Sequence, residues 1–97
     1  MIRHIVLFKM KEGSSGEEKE KLMADLAGLK DSTGGLMLEC EVASDVASTL
    51  TSYDVALNSL FESMETVASY QVHPAHVKVL EYIKKVCGAI SKVDYEV

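Results

Sequence analysis

The first ten residues alternate without interruption. Ile2, His4, Val6, Phe8 and Met10 fall on one side of an extended chain, and Arg3, Ile5, Leu7 and Lys9 fall on the other. The first set is apolar apart from His4, and the second is apolar at its centre and charged at its ends. This pattern predicts a strand covered on both faces near its middle. Where a chain's own helices cover one face of such a sheet, the other face needs a second cover.

The rest of the chain supplies the partners of that strand. Ser15-Gly16-Glu17-Glu18 fits a capping box and predicts a helix to about Lys30, with Leu22, Met23, Leu26 and Leu29 on one face. Gly28 weakens its last turns by about 1 kcal/mol relative to alanine. Residues 31 to 35 read as a loop, 36 to 43 as a second strand, 44 to 52 as a connection and 53 to 61 as a third strand. Ser63 is placed to cap a helix running through Tyr70, with Glu65 in its first turn. A last helix from Pro74 to about Val86 carries an apolar stripe of Val77, Leu80, Ile83 and Val86, with Gly88 as its stop. Residues 89 to 97 make a final strand with Ile90, Val93 and Tyr95 as its larger side chains. Strand, helix, strand, strand, helices, strand is the order of an α+β, ferredoxin-like split βαβ fold: four antiparallel strands with helices on one face.

Bulk properties narrow the function classes. Ninety-seven residues, 47% of them hydrophobic, suit a single domain over residues 1–97, small enough to gain from a partner subunit. The formal net charge is −5 and no basic stripe or aromatic-basic pattern occurs, which argues against nucleic acid as a partner. No apolar run approaches the roughly 20 residues of a membrane span, and the alternating start does not read as a cleavable leader. Cys40 and Cys87 are too isolated to form a disulfide framework, so a cytoplasmic location with free thiols is expected.

The chemistry is concentrated between Ser69 and Tyr82. That stretch holds the only proline and two of the three histidines. Pro74 suits the first turn of a helix because it has no backbone N–H to leave unpaired, with His73 just ahead as cap. His76 then lies at the edge of the buried face, and a break at His73-Pro74 lets Tyr70 approach it from the preceding helix. An imidazole that titrates near neutrality and a neutral phenol that donates to an oxyanion form a proton-transfer pair. Both residues also suit a structural role, with the ring buried and the polar atom satisfied. His4, alone on an apolar strand face, is either a pocket residue or a satisfied core histidine. A metal site of His73, His76 and His4 would need three convergent ligands and a carboxylate such as Glu81, and His73 at the cap argues against it.

Arg3-His4-Ile5-Val6-Leu7-Phe8-Lys9, Phe61-x-Ser63-x-Glu65 and Tyr70-x-x-His73-Pro74-x-His76 together resemble the stress-responsive dimeric α/β-barrel (Dabb) family, over essentially the whole chain. The resemblance implies a homodimer whose two sheets close a shared barrel with helices outside. The family's best-defined member, a plant olivetolic acid cyclase, closes a linear polyketide by aldol condensation without metal or organic cofactor. Its catalytic tyrosine and histidine match Tyr70 and His76, and its first-strand histidine matches His4. Its large aromatic pocket residues are replaced here by Leu22, Leu26, Val79 and Cys87, and the chain has no tryptophan. The resemblance thus implies a differently shaped cavity, with Tyr70 and His76 as catalytic residues and His4, Val6, Phe8, Leu22, Leu26 and Val79 as ligand contacts. Its expected occupant is a small carbonyl or polyketide-like molecule undergoing cofactor-free condensation, cyclisation or isomerisation. The alternative is a non-catalytic, stress-linked assembly protein that acts through its oligomer, and fold analogy alone adds a cofactor-free oxygenase.

Overall fold

A computed structural model describes residues 1–97. The elements are β1 (Ile2–Met10), α1 (Gly16–Ala27), α2 (Leu29–Ser32), β2 (Met37–Ser44), β3 (Val55–Phe61), α3 (Met64–Gln71), α4 (Pro74–Val86) and β4 (Cys87–Glu96). The strands form one antiparallel sheet in the order β2-β3-β1-β4. This is the ferredoxin-like arrangement that the order of elements predicts.

β1 lies inside the sheet, and its alternation sorts as expected. Ile2, His4, Val6, Phe8 and Met10 are all buried, and Leu7 on the opposite face is exposed. Buried side chains from all four helices join the first set in one core that includes Leu22, Leu26, Leu29, Val67, Tyr70, Ile83 and Val86. The other sheet face has no helix. By register it presents Ile5 and Leu7 of β1 beside Val93 and Tyr95 of β4, and Val93 and Tyr95 are about half exposed.

The helix ends show how local chemistry sets the chain path. Ser15 caps α1 by accepting the Glu18 amide at 3.1 Å, and Glu18 accepts the Ser15 amide at 2.9 Å, which completes the capping box. The predicted single helix to Lys30 instead divides at Gly28. The short α2 takes in Asp31 and Ser32 of the predicted 31–35 loop, and buried Thr33 just after it returns its hydroxyl to the Leu29 carbonyl. Gly34 and Gly35, both at positive φ, then turn the chain into β2.

Ser63 caps α3 through the Thr66 amide at 3.2 Å. Gly88 is not a helix stop. Cys87 is already extended at φ −103° and ψ 136°, so α4 passes into β4 with no intervening loop. The Val86 carbonyl is satisfied across the sheet edge by the Lys11 amide at 2.8 Å.

The stripe of α4 holds at three of its four predicted positions and differs at the first. Val77 is exposed, and the inward positions are His76, Leu80, Ile83 and Val86. An imidazole therefore occupies the first place on the buried face, one residue before the apolar side chain that the spacing suggested. Leu22 is fully buried in the core. Leu22→Ala should cost about 3 kcal/mol of stability, against about 1 kcal/mol for loss of the cap in Ser63→Ala, both measurable by urea unfolding.

Candidate active site

Three polar side chains meet between the sheet and the α3–α4 junction. α3 ends at Gln71, and the chain reverses through Val72 and His73 into Pro74. The His73 ring accepts the Ala75 amide through Nδ1 at 3.1 Å, and its own amide donates to the Tyr70 carbonyl at 3.1 Å. Pro74 at the first helical position needs no partner for its nitrogen. His73 is thus a cap, set apart from the other two histidines, and no three metal-binding side chains converge anywhere in the chain.

The turn brings the Tyr70 and His76 rings to a centroid distance of 4.5 Å. His4 on β1 closes the group, with its ring 6.2 Å from Tyr70 and 5.7 Å from Phe61. His76 Nδ1 lies 3.0 Å from the Gln71 carbonyl. A carbonyl can only accept, so Nδ1 carries the hydrogen and the neutral ring keeps its lone pair on Nε2. Burial works to lower the His76 pKa below 6.5, the Gln71 bond works against it, and the nearby His4 reinforces burial. The ring is therefore neutral at pH 7 and able to accept a proton.

Tyr70 is 1% exposed, yet its hydroxyl has no partner among the protein's side-chain hydrogen bonds and is not sealed from solvent. What surface it retains faces the cavity it lines. Burial, with the Cys40 thiol as a lesser contributor, pushes its pKa far above that of free tyrosine. The phenol stays a neutral hydrogen-bond donor.

The third group is held by a residue that strand composition alone does not flag. Register sets Asp94 of β4 opposite His4 of β1. Asp94 Oδ1 lies 2.5 Å from His4 Nδ1, and Oδ2 accepts Lys92 Nζ at 2.8 Å. Burial opposes the Asp94 charge, but the Lys92 and His4 hydrogen bonds outweigh it and hold the carboxyl below the usual range. The carboxylate orients the imidazole and leaves Nε2 as the free nitrogen, as a buried aspartate does in a catalytic triad.

These groups line a cavity of about 260 Å³ with Val6, Phe8, Leu26, Leu57, Leu80 and Ile83, and Gln71, Ile90 and Lys92 complete its wall. Of the contacts predicted from sequence, His4, Val6, Phe8, Leu26, Tyr70 and His76 line it. Leu22 does not, because it is packed in the core below. Val79 does not, because it turns to a separate open groove with Lys21, Lys78 and Tyr82. Cys40 and Cys87 are free thiols, and burial raises both of their pKa values.

Comparison with known proteins agrees with the fold. The family model described as "Stress responsive A/B Barrel Domain" (Dabb) matches residues 2–97. A stress-response A/B barrel domain-containing protein of Arabidopsis thaliana is 32% identical over 96 residues, covering 98% of this chain and 36% of that relative. The chain therefore spans little more than a third of that relative's length. Among solved structures, a dimeric protein of ferredoxin-like fold from Bacteroides fragilis is 26% identical, with a TM-score of 0.82 and coverage of 99% of this chain and 95% of the other. The hydroxynitrile lyase of Passiflora edulis shares the fold at 20% identity and a TM-score of 0.87, covering 99% of this chain and 92% of its own.

The depressed His76 pKa has a definite sign in stability. Below 6.5 the unfolded chain binds a proton at this position more readily than the folded one. The ring therefore lowers stability as pH falls from 6.5 toward its folded pKa and contributes no pH dependence above that window. An NMR titration of the His76 ring should give a midpoint below 6.5, and His76→Gln should flatten the loss of stability across that interval.

Proposed function

The chain belongs to the stress-responsive A/B barrel domain family, and from that premise we propose a homodimeric barrel whose protomers, each a single domain over residues 1–97, bind a small carbonyl compound between Tyr70 and His76. One observation carries the reading. The Tyr70 hydroxyl and His76 Nε2 both lack a protein partner and belong to adjacent rings on the wall of a largely apolar cavity. A donor and an acceptor that open into an apolar cavity with no protein partner are both free to bond a ligand there.

The chemistry follows from the two groups. With a carbonyl oxygen at the Tyr70 hydroxyl, His76 Nε2 removes a proton from the neighbouring carbon, and the electron pair of that C–H bond moves into an enolate. The phenol donates to the enolate oxygen, and the low-dielectric wall strengthens that bond. Where the substrate is β,γ-unsaturated, the resulting dienolate takes the proton back from the imidazolium at its γ-carbon, an isomerisation. Otherwise the enolate carbon attacks a second carbonyl carbon. In the second case a C–C bond forms and the new alkoxide takes the proton, a condensation or cyclisation. Asp94 holds His4 as a second oriented imidazole facing the same space.

The dimer follows from the bare sheet face. Ile5, Leu7, Val93 and Tyr95 form an apolar surface that no helix of the chain covers. A second copy stacked face to face would bury it on both sides. The Bacteroides fragilis protein of the same fold is described as dimeric, which lends weight by likeness of fold.

Titration with a panel of carbonyl and phenolic compounds should move the His76 ring resonances, and silence across the panel would overturn the binding reading. Tyr70→Phe removes a hydroxyl that holds nothing in the protein. It should leave the melting temperature nearly unchanged and, with a turned-over substrate, lower kcat by about a hundredfold. His76→Ala separates this reading from a purely structural assembly protein: an unchanged melting temperature with lost ligand response favours the pocket, and a large drop in melting temperature favours a framework role. For the dimer, Leu7→Asp should yield a folded monomer by analytical ultracentrifugation.

A further inference from the structure

β4 is an edge strand, and its helix-facing side is only partly roofed. Register places Ile90, Lys92 and Asp94 on the same side as Phe8, Val6 and His4. Ile90 is 44% exposed and the Lys92 side chain is 53% exposed, although both line the cavity. The cavity therefore opens along this strand, with an apolar side chain and an ammonium side by side on its lip.

The charge of that lip runs against the rest of the molecule. The chain carries fifteen acidic and ten basic residues, yet no aspartate or glutamate lines the cavity, and Lys92 is its one permanently charged wall residue. Asp94 stands behind Lys92, and both of its oxygens are engaged, one by His4 and one by Lys92. An ammonium has three N–H donors and the Asp94 bond uses one. With about half of the side chain in solvent, the ammonium keeps two N–H donors beyond the Asp94 bond.

Resting on the function proposed above, we propose that Lys92 is a specificity-determining residue, and that the carbonyl compound taken by this site also carries a carboxylate. The carbonyl meets Tyr70 and His76, the apolar body lies against Val6, Phe8, Leu57 and Ile83, and the carboxylate reaches the lip. There it takes the free N–H groups of Lys92 without displacing Asp94. Ile90 is covered by the portion of the ligand next to the acid.

The test uses 4-oxo-4-phenylbutanoate and its methyl ester, which share an aryl ketone body and differ in the acid. Dissociation constants come from shifts of the His76 ring on the full chain. The acid should bind about fivefold more tightly than the ester at low salt, the strength of a half-exposed ion pair, and the gap should narrow as salt rises. Lys92→Gln should erase the preference, bringing the acid and ester dissociation constants together, and Lys92→Arg should keep it. Equal affinity for acid and ester in the unaltered protein, or a preference that survives in Lys92→Gln, overturns the inference and leaves the pocket reading intact. If neither probe moves the His76 ring, both fall together.

Discussion

The turn at His73-Pro74 is the constraint on which the candidate site depends. A proline at the first helical position and a histidine capping the next amide let α4 begin within two residues of the end of α3. A longer connection would separate the last turn of one helix from the first turn of the next. Here they meet so closely that Tyr70 and His76, six positions apart in sequence, are neighbouring rings. The Gln71 carbonyl, left over at the end of α3, sets the tautomer of His76. One local device thus positions the phenol, the imidazole and the imidazole's proton.

Around this junction the protein combines two environments. The cavity wall is mostly aliphatic, which disfavours charge and keeps both His76 and Tyr70 neutral. Behind the wall, Asp94 is ionised because Lys92 and His4 both bond it. A neutral acceptor and a neutral donor therefore face the hollow, with a charged orienting group one layer away. Such an arrangement suits proton transfer at carbon, where charge appears only as the reaction proceeds and fixed groups must meet it.

Much of this was legible in the chain. The alternation from Ile2 to Met10 named both faces of β1, and the capping box at Ser15, the cap at Ser63 and the His73-Pro74 break placed three helix starts. These are signals within a few residues of one another. What escaped was set by distance. Asp94 meets His4 only through strand register, ninety positions away, and Lys92 joins it on the same face. Size does not sort β4 by face: Ile90 looks toward the helices with Asp94, while Val93 and Tyr95 look away. Where both faces of a sheet have apolar character, hydrophobicity no longer says which face is inside. Leu22 and Val79 were assigned to the cavity by resemblance, but Leu22, one turn before Leu26 on the same face of α1, packs into the core, and Val79 lines the separate groove with Lys78 and Tyr82. On α4 the first inner position is His76, and Val77 beside it is exposed.

The direct passage from Val86 to Cys87 bears on how the chain can vary. A loop absorbs an added or missing residue by changing its path, but here a helix hands over directly to a strand whose pairing with β1 already skips Gly88 in a bulge. One extra residue at that seam would roll the strand over, because successive side chains point to opposite faces. Asp94 and Lys92 would swing to the far side of the sheet, and the hollow would receive Val93 and Tyr95 in their place. A change in the length of this stretch by a single residue would exchange the chemistry of the cavity for that of the opposite face.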